Sequence, residues 1–229
     1  MQEMMKDPLW YSALNIVAHS HTDFNVLPKK AEEMWATAVM IVGMQEIENR
    51  RYWLQPVSDS EGSPDVRTIT RHEREDDRAR DYSYQDVEVV TYTSASHGVS
   101  LPQFLLDTKL SSKKAYDPLT TILIWVKDGT RCPPGAEWNK TLREVASSTP
   151  VLLLGRAHPT EPIYTLIQVR PAFTTLIEFN LPETLLKRGY TGALRLRRGT
   201  KDANKYHAGE EHCPFESLEI KCLFDKGKV

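Results

Sequence analysis

The sequence predicts an α/β fold, a central mixed β-sheet flanked by helices, and three observations predict it. Residues 29–53 carry apolar side chains at three-and-four spacing, the period of a helix laid against a sheet. Residues 66–70 and 85–90 alternate with period two, as half-buried strands do. Residues 120–126 and 151–154 are nearly continuous apolar runs, each after a helical segment, so strand, helix and buried strand follow one another as in a βαβ crossover.

In chain order, residues 1–27 hold an apolar run, Leu14 to Ala18, and then His19-Ser20-His21-Thr22-Asp23. Pro28 precedes the long helix, whose stripe is Ala31, Met34, Trp35, Ala38, Ile41, Val42 and Gln45, with Glu46 and Glu48 mostly off it. Residues 55–63 are rich in turn formers, and residues 71–81, mixed in charge, suit a solvated tip between two strands. Ser100 is placed to cap a helix over 101–109, which ends near Lys109, Lys113 and Lys114. A further helix over 136–147, strands over 163–170 and 174–179, and a short helix over 182–188 complete the core. Residues 187–205 turn basic, and alternation places Arg195 and Arg197 on one face of a strand, with Arg198 beside them. Residues 1–205 form one domain on this reading and 206–229 a C-terminal extension.

Composition sets bounds. At 229 residues, with 26% charged and 40% apolar, the chain is neither fibrous nor disordered. A formal net charge of −2 gives no global attraction to nucleic acid, so any such contact rests on a local patch. Three cysteines, with no Cys-x-x-Cys pair, fit free thiols in a reducing cytoplasm better than a disulfide framework. The acids Glu3 and Asp7 and the lack of an apolar segment near the N-terminus argue against a signal peptide, and no apolar run reaches membrane-spanning length.

The chemistry concentrates in residues 63–92. Alternation turns Asp86 and Glu88 one way and Val87 and Val89 the other, and Asp65, at the start of the neighbouring strand, approaches the same face. Three carboxylates brought together raise each other's pKa unless a hard cation such as Mg²⁺ neutralises them. The plainer reading places Asp86 and Glu88 on a solvated strand face above a core of valines. Pro64-Asp65 followed some twenty residues later by Asp86-Val87-Glu88 resembles the PD-(D/E)XK nuclease-like superfamily. In one register Asp86 is the second acid and Glu88 stands where the family has lysine; in the other Glu88 is the acid and Val90 stands there.

The resemblance implies a restriction-endonuclease-like core and a metal-dependent nuclease acting on DNA. Asp65, Asp86 and Glu88 would hold Mg²⁺ or Mn²⁺, and Glu46 would reach in from the first helix. Lys109 would supply the missing lysine, although lysines at a helix end also complement its dipole. Arg195, Arg197, Arg198, Lys113 and Lys114 would follow the phosphate backbone. The expected partners are DNA and a second copy of the chain, with no membrane. Two alternatives stand beside it: a catalytically inactive scaffold of the same fold, and a zinc hydrolase built on His19, His21 and Asp23.

Overall fold

The computed structural model describes residues 11–12, 29–48, 50–57, 64–72, 81–94, 98–110, 116–127, 130–143, 145, 147–158 and 161–188. In order they form β1 (Tyr11–Ser12), α1 (Lys29–Glu48), β2 (Arg51–Pro56), β3 (Val66–His72), β4 (Asp81–Tyr92), α2 (Leu101–Thr108) and β5 (Thr120–Val126). There follow α3 (Gly135–Thr141), β6 (Val151–Arg156), β7 (Ile163–Arg170), β8 (Thr174–Asn180) and α4 (Leu181–Lys187). This is an α/β fold. The eight described strands lie in one mixed sheet in sequence order, parallel between β4, β5 and β6 and antiparallel elsewhere.

Sequence order in the sheet fixes where the helices lie. The crossovers β4–α2–β5 and β5–α3–β6 both step the same way across the sheet, and right-handed connections that do so must pass over the same face. Phe104 and Leu105 of α2 and Trp138 of α3 accordingly share one core with Tyr92, Ile122, Ile124 and Val126. The other face belongs to α1 and α4, where Trp35, Val39 and Val42 meet Val87, Val89, Leu123 and Trp125. Every side chain of β5 is buried, as its unbroken apolar run requires.

On the α1 side the packing centres on aromatic rings. Trp35 meets Trp125 and Tyr164 edge-on, with centroids 5.4 and 5.9 Å apart, and Tyr164 stands 6.1 Å from Phe179. Each such pair adds about 0.5–1.5 kcal/mol beyond the area it buries. Gly43 lets α1 come this close: a Cβ there would stand 2.7 Å from the Phe179 ring. Residues 33–43 are buried all round, where a single apolar stripe was expected.

Two boundaries differ from the sequence reading. The first helix ends at Glu48, and residues 51–56, read as the end of a helix and a turn, are strand β2. Tyr52 continues the apolar stripe in period, which hides the change, yet strand alternation sends Tyr52 and Leu54 into the α1 core and leaves Trp53 for the opposite side. The expected hairpin is thus a three-stranded meander. Ser100 does stand at the N-cap of α2, but its carbonyl, accepting from Phe104 N at 2.9 Å, does the bonding and its hydroxyl does not. Among the described residues no helix is long and apolar enough to cross a membrane. His19, His21, Asp23, Lys113, Lys114, Arg195, Arg197, Arg198 and the 206–229 extension lie outside the described residues.

Candidate functional site

Asp65 sits where β3 leaves the ladder. Its backbone N–H donates to Val87 O at 3.1 Å and its carbonyl accepts from Val57 N at 3.1 Å, so the residue is held from both neighbouring strands. Its side chain stands in for a ladder carbonyl: Oδ2 accepts from Val89 N at 2.8 Å. A carboxylate that receives a backbone N–H keeps a fixed rotamer and favours its ionised form. Pro64, buried before it, has no N–H to satisfy and keeps the entry extended.

Glu88 lies on the β4 face that carries Val90 and Tyr92 into the α2 core, and only 7% of it is exposed. A carboxylate at that depth is costly without a counter-charge. Lys109 provides one. It terminates α2, its N–H donating to Leu105 O at 3.0 Å, and from there Nζ reaches Glu88 Oε1 at 2.5 Å. The two side chains are 13% and 9% exposed, so the contact is a buried ion pair rather than a surface one.

Tyr116, at the end of the connection from α2 to β5, feels the charge of both acids. Its ring packs against the α2 core, and its hydroxyl is buried with no hydrogen-bond partner among the described residues. Burial, and then the charges of Glu88 and Asp65, push the phenol up to about 12. Tyr116 therefore stands near both acids and remains a neutral donor at physiological pH. Sequence reasoning missed it, because nothing in the local pattern separates it from any tyrosine before a turn.

Asp86 shares the face of Glu88 but not its surroundings. Its Oδ1 accepts from the Tyr84 hydroxyl at 2.5 Å, and Arg67 is its cross-strand neighbour. Burial raises its carboxyl; the Tyr84 hydroxyl and the Arg67 charge lower it and Asp117 raises it further, leaving it above the ordinary aspartate value. Glu46 is elsewhere altogether. It projects from α1, which covers the opposite face of the sheet, and its two oxygens accept from Lys187 Nζ and Arg188 Nε, each at 2.9 Å. The glutamate of α1 that does touch the central strands is Glu32, which accepts from Thr91 Oγ1 at 3.0 Å and Lys127 Nζ at 2.9 Å.

The structure thus gathers Asp65, Glu88, Lys109 and Tyr116, and sets Asp86 and Glu46 in networks of their own. Among the described residues no three His, Cys, Asp or Glu side chains lie close enough to hold a metal ion together. The pair Asp65 and Glu88 still fits a hard cation, since Mg²⁺ is commonly held by one or two carboxylates, with water and substrate phosphate completing its shell. Comparison of the sequence with protein-family models finds no match, and searches of curated proteins and of solved structures find none.

Proposed function

We propose that this protein is a metal-dependent nuclease that hydrolyses phosphodiester bonds of DNA through a PD-(D/E)XK-like site made of Asp65, Glu88 and Lys109. The observation that carries the reading is the lysine brought by α2 onto Glu88, beside the aspartate at the head of β3. The order α1, β2–β3–β4, α2, β5 supports it, being the helix, strands, helix and strand that the resemblance implies. It also favours the register in which Glu88, not Asp86, is the second acid. Val90 stands at the family's lysine position, and a lysine from the neighbouring helix takes its place.

Bound between the carboxylates, Mg²⁺ or Mn²⁺ would polarise the phosphoryl oxygen and lower the pKa of a water. The chain's own groups do the rest. Asp65, fixed by Val89 N, gives the site one rigid ligand. Glu88 would give the other, and the Lys109 ammonium held against it would donate to the attacking water and orient it. Contact of Arg195, Arg197, Arg198, Lys113 and Lys114 with the DNA backbone belongs to the same proposal.

Nicking of supercoiled plasmid in Mg²⁺ is the test. The wild type is expected to cut, Asp65→Asn, Glu88→Gln and Lys109→Met to lose about 100-fold or more, and Asp86→Asn to stay within a few-fold. Equal cutting by all of them, or none by any, overturns the assignment. One observation favours the inactive scaffold: the Lys109–Glu88 pair is already neutral without a metal. Calorimetric titration with Mn²⁺ separates the two readings, because a scaffold gives no tight binding isotherm.

A further inference from the structure

Arg67 stands one rung of the sheet away from the acid pair. Its cross-strand partner on β4 is Asp86, and Glu88, two residues along on the same face, is its diagonal neighbour. Such neighbours lie about 7–8 Å apart, within the reach of an arginine. Asp65 precedes it by two residues and bonds to β4 on both sides of Glu88, its N–H donating to Val87 O at 3.1 Å and its Oδ2 accepting from Val89 N at 2.8 Å. On β2 the partner of Arg67 is Gln55, which carries no charge. Arg67 remains partly exposed, whereas Glu88 is buried. An ion pair with Asp86 alone would account for an arginine here. Its place beside the acid pair gives it more to do. Lys109 is taken up by Glu88 and is only 13% exposed, so a phosphate brought to this face needs another cation. A guanidinium fork matches phosphate oxygens two at a time.

We propose that Arg67 is a substrate-binding residue whose guanidinium donates two hydrogen bonds to the DNA phosphate next to the one that meets the cation. This rests on the reading of Asp65 and Glu88 as the metal-binding pair. Asp86, itself held by the Tyr84 hydroxyl, keeps a negative charge opposite the arginine before DNA arrives. The contact fixes the register of the strand over the site and carries no base sequence information.

The test is nicking of supercoiled plasmid in Mg²⁺ by the full chain, with KM and kcat measured between about 50 and about 200 mM salt. Wild type, Arg67→Met and Arg67→Lys are compared. Arg67→Met is expected to raise KM about tenfold or more with kcat unchanged. It should also flatten the plot of log KM against log salt by about one in slope, the mark of one lost phosphate contact. Arg67→Lys keeps the charge and so the slope, and raises KM less, because an ammonium lacks the fork. Should Arg67→Met not fold, Arg67→Lys decides: a raised KM at unchanged slope supports the contact, and an unchanged KM overturns it. Wild-type KM and slope in Arg67→Met overturn the role of Arg67 and leave the site standing. A fall in kcat at unchanged slope overturns it too, by showing a structural ion pair. Failure of the wild type itself to cut removes the metal site, and the proposal with it.

Discussion

Asp86 and Glu88 stand two residues apart on one face of one strand, and the fold treats them differently. Asp86 lies level with the start of β5, where Tyr84 of its own strand and Arg67 of the next are its company. Glu88 lies under the end of α2, paired with Lys109. The distinction comes from what crosses over the strand and not from the strand itself. An acid answered by its own hairpin is a local matter. An acid answered by a lysine 21 residues further along exists only once the crossover has formed.

The largest effect expected from this contrast is on stability. Glu88→Ala leaves the Lys109 ammonium buried without its counter-charge, and breaking a buried pair in this way costs about 3–5 kcal/mol. Asp86→Ala removes a partly exposed group from a surface network and should cost about 1 kcal/mol or less. Urea unfolding of the two variants, compared at their midpoints with unchanged slopes, measures both. Similar losses would mean that the burial of Glu88 has no energetic consequence.

A second prediction sharpens the same comparison by removing the lysine. On the proposed reading, Lys109 and a divalent cation would compete for Glu88, so Lys109→Met should bind Mn²⁺ about tenfold more tightly than the wild type, about 1.4 kcal/mol, while losing cleavage. The variant begins less stable, with the Lys109 contact to Glu88 gone, and Mn²⁺ should raise its melting temperature more than it raises that of the wild type. Arg67→Met, at the Asp86 end, should leave Mn²⁺ affinity unchanged. Weaker Mn²⁺ binding by Lys109→Met would show that the ammonium supports the ion instead of standing in its place.

How much of this could be seen in the chain divides along the same line. Local periodicity gave the α/β class, and gave β5 from its unbroken apolar run. It also put Asp86 and Glu88 on one face, with Val87 and Val89 turned into the opposite core. It did not give β2, because Tyr52 stays in phase with the helix before it. Nor did it choose between Asp86 and Glu88, or between the two readings of Lys109, since those choices depend on where α2 comes to rest. Glu46 and Glu32 illustrate the limit: both are acids of one helix, and only tertiary contact shows that Glu32 meets β4 while Glu46 faces α4. Tyr116 carried no local signal at all.

The smallest effects belong to the two carboxyls set apart from the site, and they differ in sign. Burial raises Glu46, but the hydrogen bonds and charges of Lys187 and Arg188 outweigh it and hold the carboxyl below its ordinary value of 4.5. The unfolded chain then takes up the proton first on acidification. The stability that Glu46 gives is complete above that value and is lost as pH falls through its folded pKa. Asp86 is held above its ordinary 3.8, chiefly by burial. There the native state binds the proton first, so stability falls as pH rises from the ordinary value through the raised one. The deficit of Glu46→Gln relative to the wild type should therefore shrink as pH is lowered from 7 toward 3, while Asp86→Asn should be relatively more stable at pH 7 than at pH 3. Both changes should stay within about 1 kcal/mol, as expected for partly exposed pairs. Unfolding midpoints collected across that pH range check the signs, and parallel behaviour of the two variants would show that Asp86, like Glu46, is held mainly by its partners and not by its burial.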